Sequence, residues 1–279
     1  MAKVALKAMG GMVIAFACAV VGVGAWVAQS PASKPDEYSR LVQASNGLYA
    51  SEGFDGVAGS PPTPAWWRME TGGGGWGNNE LQRYTANARN VALDGHGNLA
   101  ISAVRDGRGY TSGRISSLGS FWFSNGLFAV RARLPMNPGL LPAIWLLGSD
   151  VDRIGYPEAG EIDVFERSGQ DTNLGVLGPW IDVKKKTPWK AQFDYPGASL
   201  TDEFHVYWIN KTPGRISFGV DGLVIKTLTP ADVPKGGVWV QDAPFSPVLS
   251  LAVGGDWAGM PVAASTPATM LVDWVRVYL

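Results

Sequence analysis

Between Asn46 and Leu279 no helical period survives; the chain is a succession of short apolar runs broken by Gly, Pro, Asn and Asp. The runs are NVAL, GNLAISAVRD, RISS, FWFSNGLFAVRARL, AIWLLG, EIDVFE, FHVYWIN, RISFGVDGLVIKTL, SPVLSLAVGG and LVDWVRVYL. Short strands with no helices between them can hide their apolar faces only by stacking sheet on sheet, which predicts an all-β sandwich or barrel. Asp221-Gly222, between ISFGV and LVIKT, is a two-residue hairpin signal. At most, Thr229 to Pro234 (TPADVP) makes one helical turn. With 279 residues less an N-terminal segment, the chain fits one large β domain better than two.

The N terminus is of a different kind. Lys3 and Lys7 precede an uncharged, mostly apolar run from Ala8 to Ala28, about 21 residues long, which is an export segment. It fits both a signal peptide, cleaved after Ala25, and a retained membrane anchor. Either way the preceding lysines orient the remainder out of the cytoplasm. Residues 29–45, with Ser, Pro and mixed charge, read as a flexible linker to a domain spanning 46–279. Cys18, the only cysteine, lies inside the export segment, so no intramolecular disulfide can form. It is not read as a lipidation site, because AFAC lacks the branched aliphatic residue three positions earlier.

Charge narrows the partner. With 23 basic and 24 acidic residues the net charge is -1, which gives no footprint for nucleic acid. Only 17% of residues are charged, while 12 tryptophans supply aromatic surface. A neutral polymer is the natural partner, and the apolar C–H faces of sugar rings stack on such aromatics.

Against this background GEIDVFE, Gly160 to Glu166, sets three carboxylates into an apolar strand. Desolvating a carboxylate costs several kcal/mol unless it is paired, hydrogen-bonded or protonated, so these acids belong in a cleft rather than a core. Side chains alternate along a strand, which puts Glu161 and Asp163 on one face and Ile162 and Val164 on the other. Glu166, five positions from Glu161, falls on the apolar face unless a β-bulge near Val164 and Phe165 returns it to the acids. That bulge is predicted. A solvated edge strand is the bland alternative, and a calcium loop is disfavoured because Ile, Val and Phe separate the acids. Two carboxylates flanking a bond are the arrangement of glycoside hydrolysis, with Asp163 placed to set the protonation of one Glu.

At these residues the sequence resembles the laminarinase-like branch of glycoside hydrolase family 16, whose signature is a Glu-x-Asp-x-x-Glu strand. The resemblance also includes Gly72 to Thr85 (GGGGWGNNELQRYT), Tyr110 to Pro135, Leu140 to Gly148 (LLPAIWLLG), and Leu251 to Pro261 running on to the C terminus. It implies a concanavalin A-like jelly roll of two antiparallel sheets, with a substrate groove on the concave face. It implies a retaining endo-hydrolase of β-linked glucan, β-1,3-glucan first, working as a monomer on polysaccharide without a required cofactor. Glu161 would be the nucleophile, Glu166 the general acid/base and Asp163 the assisting acid.

Further groove candidates follow. Trp145, on the strand before the acids, is expected to floor the subsite next to the nucleophile, and Trp257, in a Gly-rich loop, to stack on sugar. Trp76 and Trp122 are weaker candidates. Asn78, Asn79 and Glu80, after four glycines, could bind hydroxyls. Arg114 matches the family's groove arginine, although a solvated turn accounts for it equally. His96 and His205 read as structural.

Two departures from the family pattern stand out. Where the family carries a groove histidine just after the acid strand, this chain reads NLGVLGPWIDVKKK, Asn173 to Lys186, with no histidine; Lys184 to Lys186 read as a solvated loop. The polymer could therefore be a galactan or another cell-wall glycan, with transglycosylation open, or the scaffold could bind carbohydrate without cutting it. The second departure is Gly53, which stands where the family has a glutamate that binds a structural calcium ion. Gly97 and Asp273 match the other ligands of that possible calcium.

Overall fold

The computed structural model describes residues 36–169, 171–182, 184, 187–197, 200 and 203–279. The export segment, residues 29–35 of the predicted linker, and Lys185 and Lys186 lie outside the described residues. Among the described residues no helix is long and apolar enough to cross a membrane.

The described chain forms two sheets. From edge to edge, the seven-stranded sheet is Thr187–Phe193, Asp171–Asp182, Glu161–Ser168, Leu140–Gly148, Phe245–Val253, Arg114–Ser116 and Arg68–Met69, every pair antiparallel. The ten-stranded sheet runs Leu223–Leu228, Arg215–Val220, His205–Thr212, Gly126–Arg133, Ala268–Tyr278, Leu99–Asp106, Gly109–Ser112 and Gln82–Tyr84. Leu48–Glu52 adds to Ala268–Tyr278, and Val91–Leu93 to Leu99–Asp106. Only the Gln82–Tyr84 edge pairs in parallel.

The core is the layer between the sheets. Ile144, Leu146, Ile162, Val164, Phe165, Leu249 and Leu251 meet Phe128, Val130, Tyr207, Ile209, Met270 and Val275, all fully or nearly fully buried. Each such side chain contributes about 1.5–3 kcal/mol of transfer free energy, so the acid strand is anchored through its apolar residues. The hairpin turns at Asp221 and Gly222 as expected, with Asp221 in the left-handed region at φ 50°. The predicted turn after Leu228 is a 3₁₀ turn, Pro230–Asp232.

The linker expectation is corrected over its second half. Glu37–Ala44 is a helix, capped where the Asp36 carboxylate accepts from the Ser39 backbone N–H at 2.8 Å. Tyr38, Leu41 and Val42, spaced i, i+3, i+4, form an apolar face that packs on Leu127, Ala129, Trp208 and Tyr278. This stretch is docked, which a flexible linker is not. A further short helix, Val151–Ile154, precedes the acid strand.

The predicted bulge is present. Asp163 faces Trp145 and Glu166 faces Ala143, yet between them Val164 and Phe165 share the place opposite Ile144. On the other side the same step carries Asp163 opposite Gly175 to Glu166 opposite Asn173. Two consecutive side chains thus turn into the core, and Glu166 rejoins Glu161 and Asp163. Beyond the bulge Arg167 turns inward, buried, with its guanidinium donating to the carbonyls of Gly169 and Leu200.

Candidate active site

The face of the seven-stranded sheet turned away from the core carries an open cavity of about 700 Å³. Alternation explains its lining. Glu161, Asp163 and Glu166 stand opposite Leu147, Trp145 and Ala143 on one neighbouring strand and Leu177, Gly175 and Asn173 on the other. The next strand adds Lys190 opposite Leu177 and Gln192 opposite Gly175. All of these except Gly175 line the cavity.

Gly175 has a separate task. Its φ is +154°, and a Cβ there would lie 2.3 Å from the Ala191 carbonyl oxygen and 2.7 Å from Gln192 Cα. Only a residue without a side chain lets the strands approach so closely. That approach brings the Gln192 amide to Asp163, where Nε2 donates to Oδ2 at 3.2 Å. Asn173 Nδ2 donates to Glu166 Oε2 at 2.6 Å and to Asp163 Oδ2 at 3.3 Å.

Burial and mutual repulsion hold protons on this cluster. Burial first, and then the Glu166 charge, push Glu161 up to about 7; burial and the Asp163 charge push Glu166 up to about 8. Asp163 is raised well above the ordinary carboxylate range by burial and by Glu161, while Gln192, Lys190 and Asn173 oppose the rise. Hydrogen bonding from Asp163 favours the ionised form of Glu161. Both glutamates therefore hold protons well above the ordinary carboxylate range, which lets a carboxyl in this cleft act as a general acid near neutral pH.

The far wall is aromatic and cationic. The Arg114 guanidinium lies between two indoles, its central carbon 4.7 Å from the Trp76 ring centroid and 4.6 Å from that of Trp145. It is ion-paired with Glu70, whose other oxygen accepts from Ser116 Oγ at 2.7 Å. Trp145 satisfies its indole N–H on Ser250 Oγ at 3.2 Å. Trp76, at φ +48°, adopts a backbone conformation rare for a bulky residue, and its indole N–H reaches back to the Gly72 carbonyl at 3.3 Å. Burial raises Glu80, which accepts from Gln82 Nε2 at 2.6 Å.

Of the expected groove residues, Trp145, Trp257, Asn78, Glu80 and Arg114 line the cavity, as does Trp76. Asn79 is not among its lining residues: its amide donates to both Asp256 oxygens, at 3.0 and 2.9 Å, so it ties the Trp76 loop to the Trp257 loop. The join is tight, since a Cβ on Gly255 would lie 2.7 Å from the Asn78 carbonyl oxygen. Trp122 is exposed and outside the cavity. Away from the acids, His205 Nδ1 meets Asp221 Oδ2 at 2.8 Å. Asn173, Lys190, Gln192 and Asp194 line the site without having been singled out by sequence.

Of the two residues matched to calcium ligands, Gly97 has only its backbone carbonyl to offer and Asp273 its carboxylate. The Asp273 carboxylate is ion-paired with Arg131, and among the described residues no three His, Cys, Asp or Glu side chains converge as metal ligands.

An antiparallel β-sandwich with paired, proton-holding carboxylates in an open cleft beside tryptophans is the build of a glycosidase. Comparison with known proteins agrees: residues 77–276 match the model of glycosyl hydrolases family 16, and the chain belongs to that family. It is 36% identical over 235 residues to a beta-glucanase of Rhodothermus marinus, covering 78% of this chain and 80% of that one. Among solved structures it superposes on an endo-beta-1,3-glucanase from Pyrococcus furiosus with a TM-score of 0.72 and 35% identity, covering 83% of this chain and 94% of that one. The laminarinase from Rhodothermus marinus gives 0.71 and 36%, covering 83% and 96%.

Proposed function

We propose that this protein cleaves β-1,3-linked glucan within the chain, with retention of anomeric configuration, using Glu161 as nucleophile and Glu166 as general acid/base. Glu161 attacks the anomeric carbon while Glu166 protonates the departing oxygen. Glu166 then takes a proton from water, which releases the glycosyl ester. Asp163 hydrogen-bonds Glu161 and favours its ionised form. The carboxylates and water suffice for this chemistry, so it needs no cofactor.

The observation that carries the assignment is the bulge, which brings three proton-holding acids to one face beside Trp145. Trp145, Trp76 and Trp257 supply stacking surface, and Asn78 and Glu80 supply polar contacts to sugar hydroxyls. The chain acts outside the cytoplasm, where such polymers are found.

A second choice of polymer has one observation in its favour. The wall formed by Asp171–Asp182 and Thr187–Phe193 presents Asn173, Leu177, Lys190 and Gln192 where the family pattern has a histidine. That wall suits a different sugar on the leaving-group side, such as a galactan.

The test is to incubate the protein with β-1,3-glucan, mixed-linkage glucan and galactan and to follow products by mass and anomeric NMR. Oligosaccharides from β-1,3-glucan with the β-anomer formed first are expected. Products from galactan alone would move the assignment to the second polymer. Glu161→Gln and Glu166→Gln should each lower kcat on glucan at least about a hundredfold with an unchanged fold.

A further inference from the structure

We infer that Asn173 is a positioning residue that fixes which oxygen of Glu166 carries the transferable proton. The inference rests on Glu166 being the acid/base. Asn173 sits directly opposite Glu166 across the bulge, and its single amide nitrogen reaches two carboxylates, Glu166 Oε2 at 2.6 Å and Asp163 Oδ2 at 3.3 Å. A carboxamide carries two hydrogens on one nitrogen and can serve both acceptors at once.

An oxygen that accepts a short N–H bond is the poorer place for a proton, because a carboxylic O–H oxygen is a weak acceptor. With Oε2 held by Asn173, the acid proton of Glu166 resides on Oε1. The same logic applies to Asp163. Its Oδ2 accepts from both Asn173 and Gln192, so its proton resides on Oδ1, available to the neighbouring Glu161. One amide thus directs two protons, that of Asp163 toward the nucleophile and that of Glu166 toward the leaving group.

In the first step a Glu161 oxygen bonds the anomeric carbon, the C–O bond to the leaving sugar breaks, and the Oε1 proton passes to the departing oxygen. Glu166 is left as a carboxylate, with Oε2 still accepting from Asn173. Oε1 is the free base that takes a proton from the incoming water. Asn173 opens the histidine-free stretch, Asn173 to Lys186.

The experiment compares Asn173→Ala and Asn173→Ser with the unaltered protein on two substrates: β-1,3-glucan, whose leaving oxygen needs protonation, and a 2,4-dinitrophenyl β-glycoside of a β-1,3-linked disaccharide, whose leaving group does not. The expected result for kcat/KM is a loss of about tenfold or more on glucan and a markedly smaller loss on the aryl glycoside, which still needs Glu161 but where Gln192 continues to hold Asp163 Oδ2. The basic limb of the pH profile should move up by about one unit, because Asn173 favours the ionised form of Glu166. Equal losses on both substrates with an unmoved basic limb, in variants with native circular dichroism, would overturn the inference. A parallel Glu166→Ala variant keeps the underlying assignment separate: azide should restore its turnover of the aryl glycoside, giving the β-glycosyl azide. No rescue would overturn the Glu166 role and this inference together; rescue with insensitive Asn173 variants overturns the inference alone.

Discussion

The guanidinium of Arg114 lies over the indole of Trp145, its central carbon 4.6 Å from the ring centroid, while its Nε–H is committed to Glu70. The arginine is therefore a bracket between two indoles before it is a contact for sugar. Arg114→Ala should raise KM several-fold. It should also destabilise the fold by about 1–3 kcal/mol, because the largely buried Glu70 loses its main cation and keeps only the more distant Arg68. Arg114→Lys should recover part of the stability and less of the KM, since an ammonium cannot stack as a plane. Urea unfolding and steady-state kinetics on the two variants measure both effects.

Proton affinity in the acid cluster predicts opposite pH trends for activity and stability. The kcat/KM profile should be a bell with its limbs near 7 and near 8, set by Glu161 and Glu166. The folded protein holds protons on these groups up to those values, whereas an unfolded glutamate releases its proton near 4.5. The folded state then binds more protons over this window, and stability falls as pH rises from about 5 to about 8. Glu166→Gln should flatten that fall and be more stable than the parent at pH 8 by about 2 kcal/mol. Chemical denaturation at a series of pH values tests it.

Lys211 predicts the reverse slope. It is buried, donates to the Ala243 carbonyl at 3.0 Å, lies 4.3 Å from the Phe245 centroid, and is pushed down to about 7 by burial. Between about 7 and the ordinary 10.5 the unfolded chain holds a proton that the folded one has lost, so stability from this residue rises with pH. Lys211→Met should stabilise the protein at pH 6 by about 1–3 kcal/mol and lose that advantage by pH 10, where the neutral amine no longer carries a penalty. The same denaturation series, read at its two ends, separates this slope from that of the acids.

Asn79 connects two cavity loops without lining the cavity. Asn79→Ala removes both hydrogen bonds to Asp256 and frees the loop that carries Trp257. KM should rise about three- to tenfold with kcat within about twofold, the pattern of lost substrate binding rather than lost chemistry. A proportional fall in kcat would place Asn79 in another role.

Gly175→Ala should be among the most damaging single changes on the site wall. The new methyl meets the Ala191 carbonyl, and the backbone at +154° suits no other residue, so the strands must part by several tenths of an ångström. A loss of about 2–4 kcal/mol is expected in thermal unfolding. Activity should fall with it, because Gln192 is then withdrawn from Asp163.

How much of this was legible in the sequence varies by element. Period 2 put Glu161 and Asp163 on one face, and the five-residue step to Glu166 demanded an extra residue, which is where the bulge lies. The Asp-Gly turn and the separate apolar runs became strands. Asn173, Lys190 and Gln192 were hidden because Gly175, Gly178, Pro179 and Pro188 interrupt the apolar pattern of their strands, and because cross-strand register is a long-range property. Asn79 was misassigned for a related reason: its partner, Asp256, lies far along the chain. The helix Glu37–Ala44 has signals that composition obscured, an Asp36 cap and an i, i+3, i+4 apolar face within a polar stretch.

The bulge makes the site depend on parity as well as on residue type. Running Val164 and Phe165 through regular alternation, without the bulge, would leave every acid in the chain, yet it would exchange the places of Glu166 and Arg167. A guanidinium would then face the sugar, and a carboxylate would face the carbonyls of Gly169 and Leu200. In such a strand no catalytic group is missing from the sequence, and the loss is one of register alone. A survey that checks only for the three acids would score it as intact.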